Sequence, residues 1–482
     1  MGGRCYSSPA VREPQTLKRR NVGARTFARD KSRIRFVILA ILVAVCSVSG
    51  GSYSPTMPTL LVLRPVLVLG IGAMIALPGE WDWRGLHAPT ILLGIFAATM
   101  AIQLIPLPPA WWAAMPGHER YAGIVALAPS AWRPISLVPD LTINSLLALL
   151  PTLAVLVAFA GMRNRDRWNT AWIVLGLCIA NVVVGLVQVA GGNGPTAIAL
   201  RDDNGVVTGL LANRNHGAVL LGATLPLVAL LTHRITAGPY IRWLVLGAAA
   251  AVILLLILLS GSRQGLVLGG LALVAAAAIF VERGTSRKTY GITILMGVLA
   301  TALIIGVAVA GGRALSIMRL EQLSVGHEFR AQSFPVLLRM TRDFLPFGIG
   351  YGAFDPVFRG YEPDALLVST YFNRAHNDLL ETILSGGLPA LVPLVGLLLW
   401  LSLRFRAGLR DGTCVLQTAG LAKVAGVIVA MLLLASLSDY PLRTGIMSMV
   451  FALAGCWLAT SPRYDGAITR VRARRSSRED VR

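Results

Sequence analysis

From residue 36 to residue 460 the chain is built from apolar runs long enough to cross a bilayer, and that repetition limits the fold more than any motif does. A helix needs about 20 mostly apolar residues to span the hydrocarbon core. Twelve candidate runs fall at roughly 36–50, 59–78, 88–107, 141–161, 170–191, 216–232, 243–260, 265–281, 290–311, 389–403, 415–436 and 444–460. They are continuous rather than alternating, so they read as helices and not as strands of a membrane barrel. Ile253–Leu259 is a run of branched aliphatics, and Ala275–Ala278 is an unbroken run of small residues of the kind that lets helices approach closely in lipid. Composition agrees: of 482 residues, 55% are hydrophobic and 14% charged, against about 25% charged in an ordinary soluble domain. A typical cytosolic enzyme and a disordered chain are both excluded. The expectation is an all-α polytopic membrane protein with about twelve transmembrane helices.

The net charge of +21 orients these helices. With the N-terminus inside, the inner segments 1–35, 79–87, 162–169, 233–242, 282–289, 404–414 and 461–482 hold 29 of the 44 Lys and Arg residues and carry +19. The outer segments hold 13 and are neutral, while Arg64 and Lys423 lie inside spans, where structural pairing is expected. By the positive-inside rule both termini are cytoplasmic. The basic inner face draws the protein to anionic membrane lipids, and no nucleic acid is needed to explain the charge. The chain therefore divides into a basic cytoplasmic tail (1–35), transmembrane helices one to nine (36–311), an outer loop domain (312–388), helices ten to twelve (389–460) and a second basic tail (461–482). The 35-residue basic leader is too long for a usual signal peptide, so the first run is read as a span. None of the five cysteines falls in an outer segment, and no metal-type Cys/His spacing occurs. Glu80-Trp81-Asp82 puts two carboxylates two residues apart, but on the inner side, and the outer pair Asp202-Asp203 reads as a solvated face. No metal site is expected.

Three outer segments are long: roughly 108–140, 192–215 and 312–388. A structureless loop as long as the last would be unusual, so it is expected to be partly helical. Phe329, Phe334, Leu337, Leu338 and Phe344 recur near helical spacing there, among Arg330, Arg339 and Arg342. Pro346-Phe347-Gly348-Ile349-Gly350-Tyr351-Gly352 then breaks the pattern with three alternate glycines, which would let backbone come close to a ligand. Trp111, Trp112 and Trp132 in the 108–140 segment mark the membrane interface, with sugar stacking as the sharper alternative.

Three polar clusters stand at the outer ends of spans: Asn213-Arg214-Asn215-His216, Ser260-Gly261-Ser262-Arg263-Gln264 and Arg374-Ala375-His376-Asn377-Asp378. Ionisable groups at membrane depth are costly and are usually functional or paired. The turn carrying Arg263 is so short that the guanidinium lies at headgroup level, where it either snorkels or binds phosphate. Arg214 and the amides around it either cap the next helix or join Arg263 in an anion site beside unpaired helix N–H groups. His216 reads as a residue satisfying local backbone. An imidazole can accept a proton from a hydroxyl near neutral pH, and Asn377 and Asp378 stand where they could orient the ring of His376; a plain helix-capping turn is the alternative.

Taken in order, Ile102-Gln103-Leu104-Ile105-Pro106-Leu107-Pro108, Asn213 to His216, Ser262-Arg263, Pro346-Phe347-Gly348-Ile349-Gly350, and His376-Asn377 followed by Gly386-Gly387-Leu388 resemble the O-antigen ligase and polymerase family of bacterial membrane glycosyltransferases, across roughly residues 90–460. The resemblance implies a GT-C-like architecture of twelve spans with a large, partly helical periplasmic loop between spans nine and ten. It implies a bacterial inner (plasma) membrane location with the active site at the periplasmic face. It also implies transfer of a glycan from an undecaprenyl-diphosphate-linked donor to an acceptor hydroxyl, without a cofactor or metal. The family's donor-diphosphate arginines fall on Arg214 and Arg263, and its loop histidine on His376, with Asn213, Asn215, Asn377 and Asp378 in support. Two planar guanidinium forks match the leaving diphosphate, and a histidine that removes the acceptor proton favours direct, inverting displacement. A lipid A-core acceptor makes the protein an O-antigen ligase, and a growing glycan acceptor makes it a polysaccharide polymerase. A pilin-like acceptor makes it a protein O-oligosaccharyltransferase. A secondary transporter is the reading from a different class, but transporters place polar groups near the midplane and often carry internal repeats, which this chain does not show.

Overall fold

The computed structural model describes residues 15–49, 58–190, 207–233, 238–280, 317–367, 372–410 and 416–460. The ninth apolar run, the terminal segments 1–14 and 461–482, and Asp202-Asp203 lie outside the described residues. Fourteen of the described helices build the fold. They are α1 (Gln15–Ser49), α2 (Leu60–Ala76), α3 (His87–Ile102), α4 (Pro139–Leu147), α5 (Leu150–Ala160), α6 (Asn164–Ala190), α7 (Arg214–Thr232), α8 (Pro239–Leu259), α9 (Arg263–Phe280), α10 (Ile317–Phe344), α11 (Asp378–Gly386), α12 (Leu391–Arg410), α13 (Leu416–Ala435) and α14 (Gly445–Ala459). Among the described residues strand is confined to a two-residue antiparallel ladder, Pro106–Leu107 on Arg133–Pro134. The chain is thus nearly all helical.

Seven of these segments are long and apolar enough to cross a membrane, and α2, α3 and the apolar parts of α13 and α14 are shorter apolar helices. The bundle wears an apolar belt, with Leu61, Leu69, Ile91, Trp172, Leu244 and Leu399 all exposed. Inside it, α7 is almost wholly enclosed, packed by α6, α8, α9 and α13. Small residues set how closely α7 and α9 run together. A side chain at Gly265 would strike Ala218, and Gly222 faces the Gly269 backbone. Paired small residues four apart on facing helices permit such close backbone approach in lipid. The two helices run with matched register, so Arg214 and Arg263, each the first residue of its helix, start at the same end of the bundle.

A cap covers that end. It combines α10, a short helix Phe354–Phe358 and α11 around a second hydrophobic core of Leu337, Met340, Phe344, Phe354, Phe358 and Phe372. The described part of the 312–388 segment thus holds helices joined by turns. Buried Gln103 at the end of α3 fastens the cap to the bundle: its Nε2 donates to the carbonyls of Phe347 (3.0 Å) and Ser385 (2.8 Å), and its Oε1 accepts from the Tyr351 N–H (3.1 Å). The three glycines of the Pro346–Gly352 stretch correct the ligand-approach reading. All have positive φ, and a Cβ would meet the Ser385 carbonyl at Gly348, Ser136 at Gly350 and the Leu141 carbonyl at Gly352. The close approach they permit is to the protein's own chain.

At the opposite end, Arg35 is buried and donates to the carbonyls of Gly161 (3.0 Å) and Met74 (3.2 Å), oxygens that helix ends leave without internal partners. Asp82 pairs there with Arg167 (3.2 Å), which gives the Glu80–Asp82 stretch a structural role. Pairing of the two intraspan cations is not seen: Lys423 is exposed, Arg64 half-buried, and neither forms an ion pair among the described residues.

Candidate active site

The three clusters converge beneath the cap, and a residue that no reading of the sequence singled out joins them. Asp439 sits in the turn Ser436–Thr444 between α13 and α14, with no exposed surface. Asn215 Nδ2 donates to its Oδ2 (2.7 Å), Asn213 Nδ2 approaches the same oxygen (3.3 Å), and the Tyr440 N–H donates to Oδ1 (3.0 Å). His376 Nδ1 lies 3.3 Å from Oδ1, and His216 Nε2 lies 3.6 Å from that same atom. Burial alone would raise the Asp439 carboxyl, but the two facing imidazoles overcome it and hold the group well below the usual carboxylate range.

Each partner is delivered by local backbone chemistry. Asn213 is the N-cap of α7, its side chain accepting from the Asn215 N–H (2.8 Å). This puts Arg214, Asn215 and His216 on the first turn. Ser262 Oγ donates to Asn215 Oδ1 (2.7 Å), and Gln264 Nε2 donates to the Ala435 carbonyl (2.8 Å). The start of α9 is thereby tied both to α7 and to the Asp439 turn. Gly261, in a left-handed conformation, leaves room beside it for the Arg214 guanidinium, which would lie 3.9 Å from an added Cβ. Arg263 is exposed at this end of the bundle. His376 itself has φ of 49°, a left-handed conformation that few residues other than glycine adopt, and it turns the imidazole onto Asp439. Its ring packs against Phe372 (5.3 Å between centroids) and Tyr440 (5.1 Å).

Residues 248–395 match the O-antigen ligase family model. The match begins in α8, takes in the Arg263 turn and the described cap, and ends in α12, so it contains both Arg263 and His376. It supports an O-antigen ligase- or polymerase-like membrane glycosyltransferase. A comparison with curated proteins found no match. The first turn of α7 and Asp439 lie outside the matched O-antigen ligase segment, yet they pack directly onto it.

Two expected supports of His376 act elsewhere. Asn377 caps α11, accepting from the Leu380 N–H (2.9 Å), and donates to the Leu437 carbonyl (3.0 Å). Asp378 accepts from Arg443 Nε (2.9 Å) and Ser436 Oγ (3.0 Å). The carboxylate that meets His376 is that of Asp439. Asp378 belongs to a second buried network with Glu381, which pairs with Arg374 (2.7 Å) and Arg443 (3.3 Å). Burial pushes the Asp378 carboxyl up, whereas burial on Glu381 is outweighed by the two arginines, which bring it below its ordinary value. His216 also departs from expectation. It is buried, neither ring nitrogen has a hydrogen-bond partner, and it meets Tyr440 edge-on at 5.2 Å rather than satisfying local backbone.

Among the described residues no group of three or more His, Cys, Asp or Glu side chains is disposed to hold a metal ion. Of the tryptophans, Trp111 and Trp132 are exposed, whereas Trp112 is buried with its Nε1 donating to the Pro134 carbonyl (2.8 Å). One signal for Asp439 was present in the sequence. Ser436-Leu437-Ser438-Asp439-Tyr440-Pro441-Leu442-Arg443 is a short outer turn with two charges between apolar runs, the same feature that marked Arg263.

Proposed function

We propose that the protein transfers a glycan from undecaprenyl diphosphate to an acceptor hydroxyl at the periplasmic face of the bacterial inner membrane, as an O-antigen ligase acting on lipid A-core. The observation that carries this reading is the fixing of His376 Nδ1 on buried Asp439, beside the helix starts that bear Arg214 and Arg263. A carboxylate that accepts Nδ1–H leaves the lone pair of the imidazole on Nε2 and stabilises the imidazolium that forms. Nε2 of His376 takes the proton from the acceptor hydroxyl. The oxygen attacks the anomeric carbon from the side opposite the leaving group, the anomeric C–O bond breaks, and both electrons leave with undecaprenyl diphosphate. The sugar is delivered with inversion. Arg214 and Arg263 bind the diphosphate, whose charge grows as the bond breaks, so they hold the transition state more tightly than the ground state. Asn213 and Asn215 act through Asp439 and hold its carboxylate in place.

The reading is tested in a strain lacking the gene, resupplied with wild type, Arg263→Ala or His376→Ala at equal protein level. Both variants are expected to lose transfer altogether, and a variant that transfers chains at the wild-type rate overturns the assignment. The glycan profile of the deletion decides the acceptor. Long chains missing from lipid A while donor-linked chains accumulate mean a ligase; single repeat units left on the acceptor mean a polymerase.

A further inference from the structure

His216 is a buried, chemically competent side chain for which the transfer reaction above has no part. Its ring has 1% exposure, and neither nitrogen has a partner within 3.5 Å, although Nε2 has the Asp439 carboxylate just beyond that distance. An orphaned polar atom in such a place is costly, and cores normally replace it with an apolar group unless the polar atom is used. Nε2 faces Asp439 Oδ1 at 3.6 Å, the same oxygen that faces His376 Nδ1 at 3.3 Å. Tyr440 stands between the two imidazoles, its ring 5.2 Å from one and 5.1 Å from the other. The histidines thus approach one carboxylate oxygen from two helices, His216 from the first turn of α7 and His376 from the residue before the cap of α11.

We infer that His216 is a positioning residue, which shares Asp439 with His376 and holds the carboxylate oxygen on the axis where it meets the base. This rests on the transfer reaction proposed above. The physical reason is rotational. Asn215 holds Oδ2 at 2.7 Å and Asn213 bridges both oxygens at longer range, Oδ2 at 3.3 Å and Oδ1 at 3.5 Å, so the Tyr440 N–H at 3.0 Å is the short donor that Oδ1 has besides the histidines. A second N–H directed at Oδ1 from the rigid first turn of α7 stops the carboxylate from turning away from His376. Because Arg214 lies on that same turn, the acceptor-side base and the diphosphate-side arginine are referred to one helix end.

The nitrogen used makes the idea testable by side-chain length. Glutamine places its amide nitrogen where histidine places Nε2, and asparagine places it where histidine places Nδ1. Membranes from the deletion strain carrying each variant at equal level report the transfer rate of endogenous radiolabelled lipid-linked glycan, and purified protein reports affinity for undecaprenyl diphosphate. His216→Phe is expected to slow transfer about 10-fold or more, the scale of misplacing a general base, with undecaprenyl diphosphate affinity changed by less than about twofold. His216→Gln is expected to restore transfer to within about threefold of wild type, and His216→Asn is not. A wild-type rate in His216→Phe, or equal rates in the Gln and Asn variants, overturns the inference. If His216→Phe fails to accumulate, the order of Gln above Asn decides alone. If wild-type membranes themselves transfer no glycan while the protein is present, the transfer reaction is wrong and the role of His216 falls with it.

Discussion

Two buried acidic centres join the same two segments of this protein, 372–381 and 436–443, and have opposite characters. Glu381 and Asp378 are met by the guanidinium groups of Arg374 and Arg443, so their charge is matched where they stand. Asp439 has no arginine among its described partners; it is met by amides, a backbone N–H and two imidazoles. A carboxylate paired with arginine is spent on holding segments together, because arginine does not give up its proton. A carboxylate facing imidazole keeps its charge available to the one side chain able to exchange a proton near neutral pH. The first centre clasps the cap to the turn after α13; in the reaction proposed above, the second aligns a base.

The sharpest way to break this comparison is to remove Glu381. Glu381→Ala leaves Arg374 and Arg443 without their shared partner, and losing one member of a buried pair costs about 3–5 kcal/mol. A large fall in the melting temperature of the detergent-purified protein is expected, while whatever protein survives transfers glycan at a near-normal rate per molecule. If stability is unchanged and transfer is lost, the two centres have been assigned the wrong way round.

Asp439→Asn should do the reverse. The fold has every element it needs, but an amide no longer selects the Nδ1–H form of His376, and a loss of about 100-fold in transfer rate, or about 2.7 kcal/mol in the barrier, is expected. Expression and melting temperature near neutral pH should move far less than in Glu381→Ala. The smallest effect is acid sensitivity. A carboxyl held below its unfolded value adds stability that is present above that unfolded value, near 4, and is lost as pH falls through the folded one. Asp439 and Glu381 are both lowered, whereas Asp378 is raised and opposes them. The melting temperature should therefore drop as pH falls below about 4, and less steeply in Asp439→Asn. Equal slopes in the two proteins would mean that the Asp439 charge is not stabilised by its partners.

Much of this was legible residue by residue. The polar clusters around Arg214, Arg263 and His376 announced themselves because each breaks an apolar pattern at a span end, and short-range signals of that kind survive into the structure. Asn213 and Asn377 are caps, as their residue types favour. What sequence proximity misled was the pairing of neighbours. Asp378 lies two residues from His376 yet faces Arg443, because it sits in the first turn of α11 while His376 precedes the cap in a left-handed turn. The alternate glycines after Pro346 misled for a related reason, since a sequence shows that a backbone can be approached but not by what.

By itself the sequence determined an all-α membrane chain, the places where polarity interrupts its helices, and a family resemblance that residues 248–395 bear out. It did so because lipid imposes the same demand on every span separately: each must be apolar and must satisfy its own backbone. Only the tertiary structure decided that Asp439, 63 residues from His376 and 224 from Asn215, is the group on which the three clusters meet. The contact depends on small residues letting α7 and α9 start side by side and on a cap fastened through Gln103, and neither condition is visible in the neighbourhood of Asp439 itself.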